Sequence, residues 1–358
     1  MIDELLQISP YSLNKDEKTK LLTKRLLELT RLHTAHCAEY AAMMQGVGFN
    51  YDNCKDYHDI PFLPVSLFKE YDLKSIPQEN IFKVMTSSGT TGQTVSKIYL
   101  DKVTASTQQK VLVKIVSDFT GSLRMPMLII DSHSVVKDRD IFSARGAGIL
   151  GFSIFGSDKL YALDDDMRIN IPAIEVFLEK HKGKHILIFG YTFMVWSHYY
   201  QELLKNSKKL DLHNGILIHG GGWKKLTSNS VSKEDFKKGL KDINNLDNIH
   251  DYYGMVEQTG CIYMECEYGH IHASIYSDII TRNYIDFSPC NIGEAGIIQV
   301  VSILPESYPG HSLLTEDEGI ILGEDDCLCG RLGKYFKITG RLKAAEIRGC
   351  GDTYANNR

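Results

Sequence analysis

"VMTSSGTTGQTVSKIYLD", residues Val84–Asp101, is the stretch that constrains the fold of this chain most. Five hydroxyl side chains and two glycines stand within seven residues, Thr86–Gly92, and a β-like run, Lys97–Leu100, follows. Glycine lets a backbone approach an anion closely, and hydroxyl and main-chain N–H groups supply hydrogen bonds to it. A surface turn between two strands has a similar composition. The residues alone therefore support a phosphate-binding loop and a plain turn about equally.

The composition is that of an ordinary globular protein. With 358 residues, 43% hydrophobic and 24% charged, the chain is long enough for a sizeable core. The net charge of -5 gives no sign of nucleic-acid binding. No apolar run reaches the roughly eighteen residues of a membrane span, and no signal peptide is evident at the N-terminus. We therefore expect a cytoplasmic protein with no nucleic-acid partner and no integral membrane segment.

Helix-like and strand-like stretches alternate along the first two thirds of the chain. Helical periodicity runs from Ser12 to Met44 and again over 105–121. Three apolar runs predict buried strands, at 126–132, 185–192 and 215–222. This alternation indicates α/β units with a largely parallel sheet. From about Cys261 onward, short strand-like runs separated by glycines and acidic turns predict a smaller β-rich subdomain.

Two further motifs carry residues suited to nucleotide binding. "IHGGGWKKL" places Gly220–Gly222 at the end of a predicted strand, where ligands gather in open α/β sheets. His219 beside it either lines a pocket or is a core histidine. "DYYGMVEQTG" contains Tyr253, Gly254 and Glu257, and a tyrosine can stack on a base while a carboxylate can hold magnesium. Each motif alone is more often an ordinary turn.

In their order along the chain, these motifs resemble the adenylate-forming (acyl-activating) superfamily. "TSSGTTG" resembles its phosphate loop, "YYGMVEQ" its Tyr-Gly-x-x-Glu motif, "LLTEDEG" its ribose-binding segment and "TGRLKAAEIRG" its Gly-Arg hinge. The chain has no Gly-x-x-x-x-Gly-Lys-Ser/Thr, so it is not a P-loop NTPase. The resemblance implies catalytic roles for Glu257, beside Mg²⁺, and for Arg341. It implies that ATP is bound by Ser87, Ser88, Gly89, Thr90, Thr91, Gly92, Gly221, Gly222, Tyr253, Gly254 and Asp317.

A narrower resemblance is to the acyl-protein synthetases of bacterial luminescence systems. It rests on "IPFLPVSLFKEYDL", "HGGGWKK", "SYPGHSLLTEDEG" and "GRLKAAEIRGCGD". It implies ATP-dependent activation of a long-chain fatty acid as acyl-AMP and transfer to Cys350 as a thioester, for an acyl reductase partner. Arg348 beside Cys350 favours the thiolate. The alternatives are a CoA ligase of the phenylacetate type and a non-catalytic scaffold subunit of a reductase complex.

The resemblance also sets an expected domain plan. It implies the N-terminal domain of an adenylate-forming enzyme, with mixed and parallel sheets and flanking helices, plus the β-rich subdomain. We predict an adenylation core over 1–260, the β-rich subdomain over 261–340 and a hinge-like tail over 341–358. The usual mobile C-terminal domain is expected to be absent. Gln93–Lys97 stand where many members carry Pro-Lys, so Lys97 has no assigned role.

A separate group of cysteines and histidines has a metal-binding composition. "CEYGHIH" and "DDCLCGR" together supply three thiols and two imidazoles. Three thiolates and one imidazole suit a tetrahedral structural zinc. Related phenylacetate-CoA ligases have a similar pattern, which implies His272 rather than His270 as the imidazole ligand. The predicted ligands of Zn²⁺ are therefore Cys266, His272, Cys327 and Cys329, and unligated, reduced cysteines in a tight turn are the alternative.

Overall fold

The computed structural model describes residues 1–87, 95–121, 123–136, 144–222 and 231–342. In chain order, the α-helices of these residues are α1 (Ile2–Leu5), α2 (Lys15–His36), α3 (Ala38–Gly46), α4 (Leu67–Glu70), α5 (Lys102–Thr120), α6 (Ala144–Phe152), α7 (Ile171–Lys180), α8 (Thr192–Met194), α9 (Gln201–Lys205) and α10 (Lys233–Asn244). A π-helical segment, Val195–Tyr200, joins α8 to α9. Short 3-10 turns lie at Tyr51–Asn53, Tyr57–Asp59, Gln78–Asn80, His133–Val136, Ser153–Phe155 and Val256–Gln258.

The strands of the same residues include both very short and long ones. They are β1 (Leu63–Pro64), β2 (Lys83–Thr86), β3 (Lys97–Leu100), β4 (Met125–Ser132), β5 (Gly156–Leu163), β6 (Ile186–Tyr191), β7 (Gly215–Gly220), β8 (Asn248–Tyr253), β9 (Tyr263–Glu265), β10 (Ile271–His272), β11 (Ser277–Arg282), β12 (Ala295–Ser302), β13 (Ser312–Glu324) and β14 (Lys334–Arg341).

The long N-terminal helical pattern forms two helices. Helix α2 begins at a capping box, in which the Asn14 side chain accepts from the Glu17 N–H and the Glu17 carboxylate accepts from the Asn14 N–H. It buries Leu22, Leu26 and Leu29, which recur at helical spacing on one face. At Cys37 the backbone is extended, with φ -130° and ψ 106°, so the helix ends there and α3 begins.

The described residues divide into two compact units. The first unit comprises 1–87, 95–118 and 254–342, and the second comprises the described residues between 119 and 253. The division by contacts assigns separated parts of the chain to one unit. The linear boundaries after residues 260 and 340 stay a prediction.

The second unit contains a parallel sheet in the strand order β5-β4-β6-β7-β8. Every residue of β4, β6 and β7 is buried. Strands of a parallel sheet are covered on both faces, which is why they are continuous apolar runs in the sequence. Helices α7 and α10 contribute to the core around the sheet through Ile174, Phe177, Phe236 and Leu240. The predicted α/β architecture with a parallel sheet is confirmed.

The first unit is built on antiparallel strands. Their order is β11-β12-β13-β14-β10-β9, and β1 adds to β13 in parallel. A separate hairpin is formed by β2 and β3. The residues after Cys261 form strands, as predicted. These strands are antiparallel, and β12, β13 and β14, with 8, 13 and 8 residues, are longer than expected.

A buried ionic cluster fixes α2 on this sheet. Asp278 on β11 is 1% exposed, and its two oxygens lie 3.4 Å from Lys18 Nζ and 3.5 Å from Lys334 Nζ. The Tyr57 hydroxyl donates to the same carboxylate at 2.5 Å. Burial alone would raise the pKa of Asp278, but Lys18, Lys334 and Tyr57 together lower it to about 2. Four elements thus meet at one buried carboxylate.

No helix in the described ranges combines the length and the apolar character that a membrane crossing needs.

Candidate active site

The described residues on either side of the hydroxyl-rich segment form a hairpin in the first unit. Strands β2 and β3 pair from Lys83↔Leu100 to Thr86↔Lys97. The next pair continues this ladder, because the Ser87 N–H donates to the Ser96 carbonyl at 3.1 Å and the Ser96 N–H donates to Ser87 Oγ at 2.9 Å. The predicted phosphate-binding residues Ser88, Gly89, Thr90, Thr91 and Gly92 lie outside the described residues. Ser87 is therefore the residue of that set whose contacts the structure shows.

Glu257 lies beside this hairpin base. It sits in the 3-10 turn Val256–Gln258 and is 6% exposed. Burial raises the pKa of Glu257, whereas the nearby Ser96 side chain and the positive charge of Lys69 oppose the rise. A buried carboxylate beside the base of the hydroxyl-rich loop is suited to bind a cation that also contacts phosphate oxygens.

The turn that carries Glu257 is held by side-chain amide hydrogen bonds. The Gln258 Nε2 group donates to the Gly310 carbonyl at 2.9 Å and to the Val300 carbonyl at 3.2 Å. Gln258 is 1% exposed, so both bonds are shielded from water. The backbone under the carboxylate is therefore anchored to β12 and to the segment before β13.

Asp317 and Arg341 are cross-strand neighbours. They are directly paired in the register of β13 and β14, although 24 residues separate them in sequence (341 − 317). Arg341 forms an ion pair with Glu316, whose carbonyl also accepts from the Leu342 N–H at 2.9 Å. The Asp317 N–H donates to Thr315 Oγ1 at 3.1 Å. Glu316 also acts electrostatically on Glu257, where it favours the protonated carboxyl. The first unit thus brings Ser87, Glu257, Asp317 and Arg341 into one polar region.

The second unit holds the remaining described candidates. Gly221 follows β7 with φ +74°, a conformation that disfavours a side chain. Gly222 has no atom within 4 Å of the position its Cβ would take. Tyr253 ends β8, the parallel neighbour of β7, so these residues lie at the carboxyl edge of the sheet.

His219 has the environment of a core histidine. It is 3% exposed and shares a hydrogen bond with Thr192 Oγ1 at 2.9 Å. Gly254 begins the next segment of the first unit.

The predicted metal ligands converge in the first unit. The ligand atoms of Cys266, His272, Cys327 and Cys329 all lie within 4.8 Å of one another. Cys266 Sγ is 4.0 Å from Cys327 Sγ, and Cys329 Sγ is 3.4 Å from His272 Nε2. Zinc bonded to sulfur at about 2.3 Å in a tetrahedron places two sulfurs about 3.8 Å apart. The four residues, here called the cysteine–histidine cluster, therefore lie close to the spacing that a tetrahedral zinc ion requires.

Burial shifts the pKa of Cys266, Cys327 and His272. Burial raises the pKa of Cys266 and Cys327 and lowers that of His272 to about 4, so the imidazole is in its neutral, metal-binding form. His270, the rival ligand, lies outside the four, with Nδ1 3.3 Å from Cys327 Sγ. It can donate to that sulfur as an outer neighbour.

Sequence reasoning missed several residues of the active-site region. Ser96 and Glu316 each stand one position from a residue already singled out, Lys97 and Asp317, so proximity in a motif was the available signal. Tyr308, whose hydroxyl donates to the Glu257 carbonyl at 3.0 Å, lies 51 residues away and only the fold reveals it.

Comparison with solved structures defines the class of fold. Over 95% of this chain and 78% of the other, the structure matches a 2-hydroxyisobutyryl-CoA ligase in complex with 2-HIB-AMP and CoA, with a TM-score of 0.72 at 15% identity. The same ligase in the postadenylation state gives 0.71 over 93% of this chain and 69% of the other, at 14% identity. The fold is that of the adenylate-forming ligases.

Sequence comparison then defines the family. A profile described as "Acyl-protein synthetase, LuxE" matches residues 1–357, so the chain belongs to the LuxE acyl-protein synthetase family. Two relatives bear the name long-chain-fatty-acid–luciferin-component ligase. The one from Aliivibrio fischeri is 25% identical over 99% of this chain and 93% of its own length. The one from Vibrio harveyi is 23% identical over 98% and 91%. The predicted family, fold class and ligase activity are confirmed.

Proposed function

We propose that the protein activates a long-chain fatty acid with ATP and transfers the acyl group to its own Cys350. The observation that carries the proposal is the buried Glu257 carboxylate beside the Ser87–Ser96 base of the hydroxyl-rich loop, in a chain of the acyl-protein synthetase family. The names of the two relatives support it, because both join a long-chain fatty acid to a luciferin component rather than to CoA.

The first step is adenylation. A carboxylate oxygen of the fatty acid bonds to the α-phosphorus of ATP, the bond between the α-phosphorus and the bridging oxygen breaks, and pyrophosphate leaves. Glu257 would hold Mg²⁺, whose charge offsets that of the phosphate oxygens. We assign the phosphates to Ser87 through Gly92 with Gly221 and Gly222, the adenine to Tyr253 and Gly254, and the ribose to Asp317, with Arg341 on the hinge side. Catalysis is then mainly positioning and charge stabilisation.

The second step is thioester formation. The Cys350 thiol first loses its proton to solvent, and the thiolate attacks the acyl carbonyl carbon. The bond from that carbon to the phosphate oxygen breaks, and AMP leaves. Cys350 lies outside the described residues, so its role rests on the resemblance of "RGCGD" to the family. The thioester then serves an acyl reductase partner.

The cysteine–histidine cluster binds a structural Zn²⁺ in this proposal. Support comes from three sulfurs and one imidazole within 4.8 Å, a closed set of four ligands with no position left for substrate. The ion would hold the segments around 266–272 and 327–329 together rather than take part in acyl transfer.

Glu257→Gln tests the adenylation site. We expect fatty-acid-dependent pyrophosphate exchange to fall about a hundredfold or more, because the variant loses a charge that is needed during phosphoryl transfer. The fold should remain intact, since glutamine fills the same volume, and circular dichroism with a melting curve checks this. Exchange at the wild-type rate would remove Glu257 from the site.

Cys350→Ser tests the acceptor. The variant should keep pyrophosphate exchange but lose the covalent, hydroxylamine-sensitive label from radioactive fatty acid. Cys54→Ser and Cys290→Ser are matched controls, because both thiols are half-buried and burial raises their pKa. Both controls should keep the label.

Three outcomes would contradict the proposal. Label retained in Cys350→Ser would show another acceptor. Acyl-CoA formed on addition of CoA would favour the CoA-ligase alternative, which the CoA-bound neighbour supports. Absence of any acid-dependent exchange in the wild-type protein would favour the scaffold alternative.

A further inference from the structure

Two adjacent residues of the "SYPGH" segment connect the loop hairpin with the Glu257 turn. Ser307 Oγ donates to the Tyr99 carbonyl of β3 at 2.8 Å. The hydroxyl of the following residue, Tyr308, donates to the Glu257 carbonyl at 3.0 Å. Both residues are 0% exposed, so neither bond competes with water. One short segment therefore contacts the strand that leaves the hydroxyl-rich loop and the turn that carries the carboxylate.

Helix α5 supplies the partner that orients the Tyr308 hydroxyl. Gln108 Nε2 donates to the Tyr308 oxygen at 3.3 Å, and Gln108 is 2% exposed. A tyrosine hydroxyl has one proton, and because it accepts from Gln108 its own proton is directed to Glu257. The three residues form a hydrogen-bond relay that runs in one direction, from Gln108 through Tyr308 to the Glu257 backbone.

The backbone around these three residues is closely packed at two glycines. Gly260, with φ +90°, lies directly against α5. A Cβ at this position would lie 2.7 Å from the Cα and the carbonyl oxygen of Gln108. A Cβ at Gly310 would lie 2.8 Å from the Glu257 carbonyl oxygen. Real Cβ atoms do not approach this closely, so both contacts require glycine and hold the turn against its neighbours.

Helix α5 is itself fixed at both ends. At its start, the Thr104 N–H donates to Asp101 Oδ1 at 2.7 Å, directly after β3. Near its end, Asp118 Oδ1 accepts from Arg331 Nε at 3.0 Å, and Arg331 also donates to Glu267 at 3.1 Å. Gln108 is thus presented from a helix that cannot slide along its axis without breaking charged hydrogen bonds.

We infer that Tyr308 and Gln108 are positioning residues that set the Glu257 carboxylate relative to the β2–β3 hairpin and thereby determine the affinity for the divalent cation. This inference rests on the proposed role of Glu257 in binding Mg²⁺. It gives the buried "SYPGH" segment a role in the first half-reaction. Its effect is on the concentration of cation required and not on the rate at saturation, because the carboxylate itself is unchanged.

Tyr308→Phe removes the hydroxyl and keeps the ring. In pyrophosphate exchange with Mg²⁺ varied at saturating ATP and fatty acid, we expect the half-saturating Mg²⁺ concentration to rise about three- to tenfold, the range of one lost hydrogen bond. The rate at saturating Mg²⁺ should stay close to that of the wild type. Tyr276→Phe is the matched control, because Tyr276 is also 0% exposed and its hydroxyl donates to a backbone carbonyl, that of Leu5, at 3.0 Å. Its Mg²⁺ dependence should not change.

Gln108→Glu tests the direction of the relay without removing atoms. An ionised carboxylate only accepts, so in exchange assays at a pH above the pKa that burial raises for this glutamate, it draws the single Tyr308 proton away from the Glu257 carbonyl. The half-saturating Mg²⁺ concentration should rise as in Tyr308→Phe, and the double variant should be no worse than Tyr308→Phe alone, since both changes act on one path. Gln108→Glu also serves if Tyr308→Phe does not fold.

The outcomes separate this inference from the proposed function. If Tyr308→Phe and Gln108→Glu both keep the wild-type Mg²⁺ dependence while Glu257→Gln is inactive, the positioning role is wrong and the adenylation site stands. If Glu257→Gln is as active as the wild type, Glu257 does not belong to the site and the positioning role fails with it, whereas the proposed function fails if the wild-type protein shows no acid-dependent exchange. A lowered rate at saturating Mg²⁺ with unchanged half-saturation would also overturn the inference, because it would place Tyr308 in another step.

Discussion

The two units differ in what they bury. In the second unit the central strands β4, β6 and β7 are buried throughout and largely aliphatic, as parallel strands covered on both faces must be. Both units bury carboxylates and histidines: the second contains Asp131, His181, His219 and His250, and the first contains Asp278, Glu257 and His33. Among the described residues, the two buried lysines, Lys18 and Lys334, belong to the first unit. The first unit accordingly needs a counter-charge for these lysines, whereas the central strands of the second need mainly close packing.

Two of the predicted sites lie in the first unit. The four-ligand cluster and the Glu257 carboxylate both belong to it, whereas Gly221, Gly222 and Tyr253, which are predicted to bind ATP, belong to the second unit. Buried charges cost free energy unless they are paired, so a buried carboxylate with little compensation is a candidate for function. The predictions below test whether the two interiors respond differently to substitution.

The largest effect on stability is expected at Asp278. Asp278→Asn leaves Lys18 and Lys334 buried without their shared counter-charge, and breaking such an arrangement costs about 3–5 kcal/mol. Urea unfolding measures the loss. Asp164→Asn, at an exposed ion pair with Arg168 in the second unit, is the control and should change stability by less than about 1 kcal/mol. Equal effects of the two variants would contradict the proposed distinction between the interiors.

Loss of the bound zinc is expected to have the next largest effect on stability. Cys327→Ser or Cys329→Ser should reduce bound zinc from about one per chain and lower the unfolding free energy by about 2–3 kcal/mol, the effect of losing a structural ion. Adenylation should remain at permissive temperature, since no predicted ATP-binding residue belongs to the cluster. Elemental analysis and melting curves give the two readouts, and Cys290→Ser serves as control. A metal-free wild-type protein with unchanged melting would eliminate the structural role.

The parallel sheet of the second unit was the easier part to predict from sequence. The runs at 126–132, 185–192 and 215–222 became β4, β6 and β7 almost residue for residue, because a strand buried on both faces leaves an unbroken apolar signal. Strand β5, with Ser157, Asp158 and Lys159, lies at the sheet edge and lacks that signal. Strand β8 was missed for the same reason, since its residues include His250 and Asp251.

The active-site region shows where sequence reasoning stops. Glu257, Asp317 and the metal ligands were predicted because motifs place them, and the structure brings the four predicted ligands together. Tyr308 and Gln108 were not found, since 51 and 149 residues (257 − 108) separate them from Glu257. Long-range hydrogen bonds between polar side chains leave no periodic pattern in a single sequence.

Acid should destabilise the first unit through two buried histidines. His33 and His311 stack with centroids 5.0 Å apart, and each is at most 1% exposed. Burial, reinforced by nearby Arg25, lowers the pKa of His33 to about 3 and that of His311 well below its usual value. Below about pH 6.5 the unfolded chain therefore binds protons that the folded chain does not. Stability should fall with falling pH, by up to about 1.4 kcal/mol per pH unit for each histidine, and for His33 the fall ends near pH 3.

Urea unfolding between pH 7.5 and 5 measures this slope. His33→Gln and His311→Gln should each reduce it, and His213→Gln, at an exposed histidine of the second unit, should not. A slope that survives in the double variant His33→Gln/His311→Gln would assign the acid sensitivity to other groups.

The smallest expected change in stability is an increase. It tests the packing around helix α6 in the second unit. Gly151 and Gly148 lie on the same helix, α6, yet their surroundings differ. The Cβ position of Gly151 has no atom within 4 Å, whereas that of Gly148 is 2.1 Å from the Tyr191 hydroxyl oxygen. Gly151→Ala should therefore stabilise the protein by about 0.5–1 kcal/mol, because alanine restricts the unfolded chain and favours the helix. Gly148→Ala should cost about 1–3 kcal/mol, because the buried Tyr191 must move. Paired urea titrations give both values. Opposite signs would show that close packing controls this interior, and a loss in Gly151→Ala would show that α6 has another contact at that position.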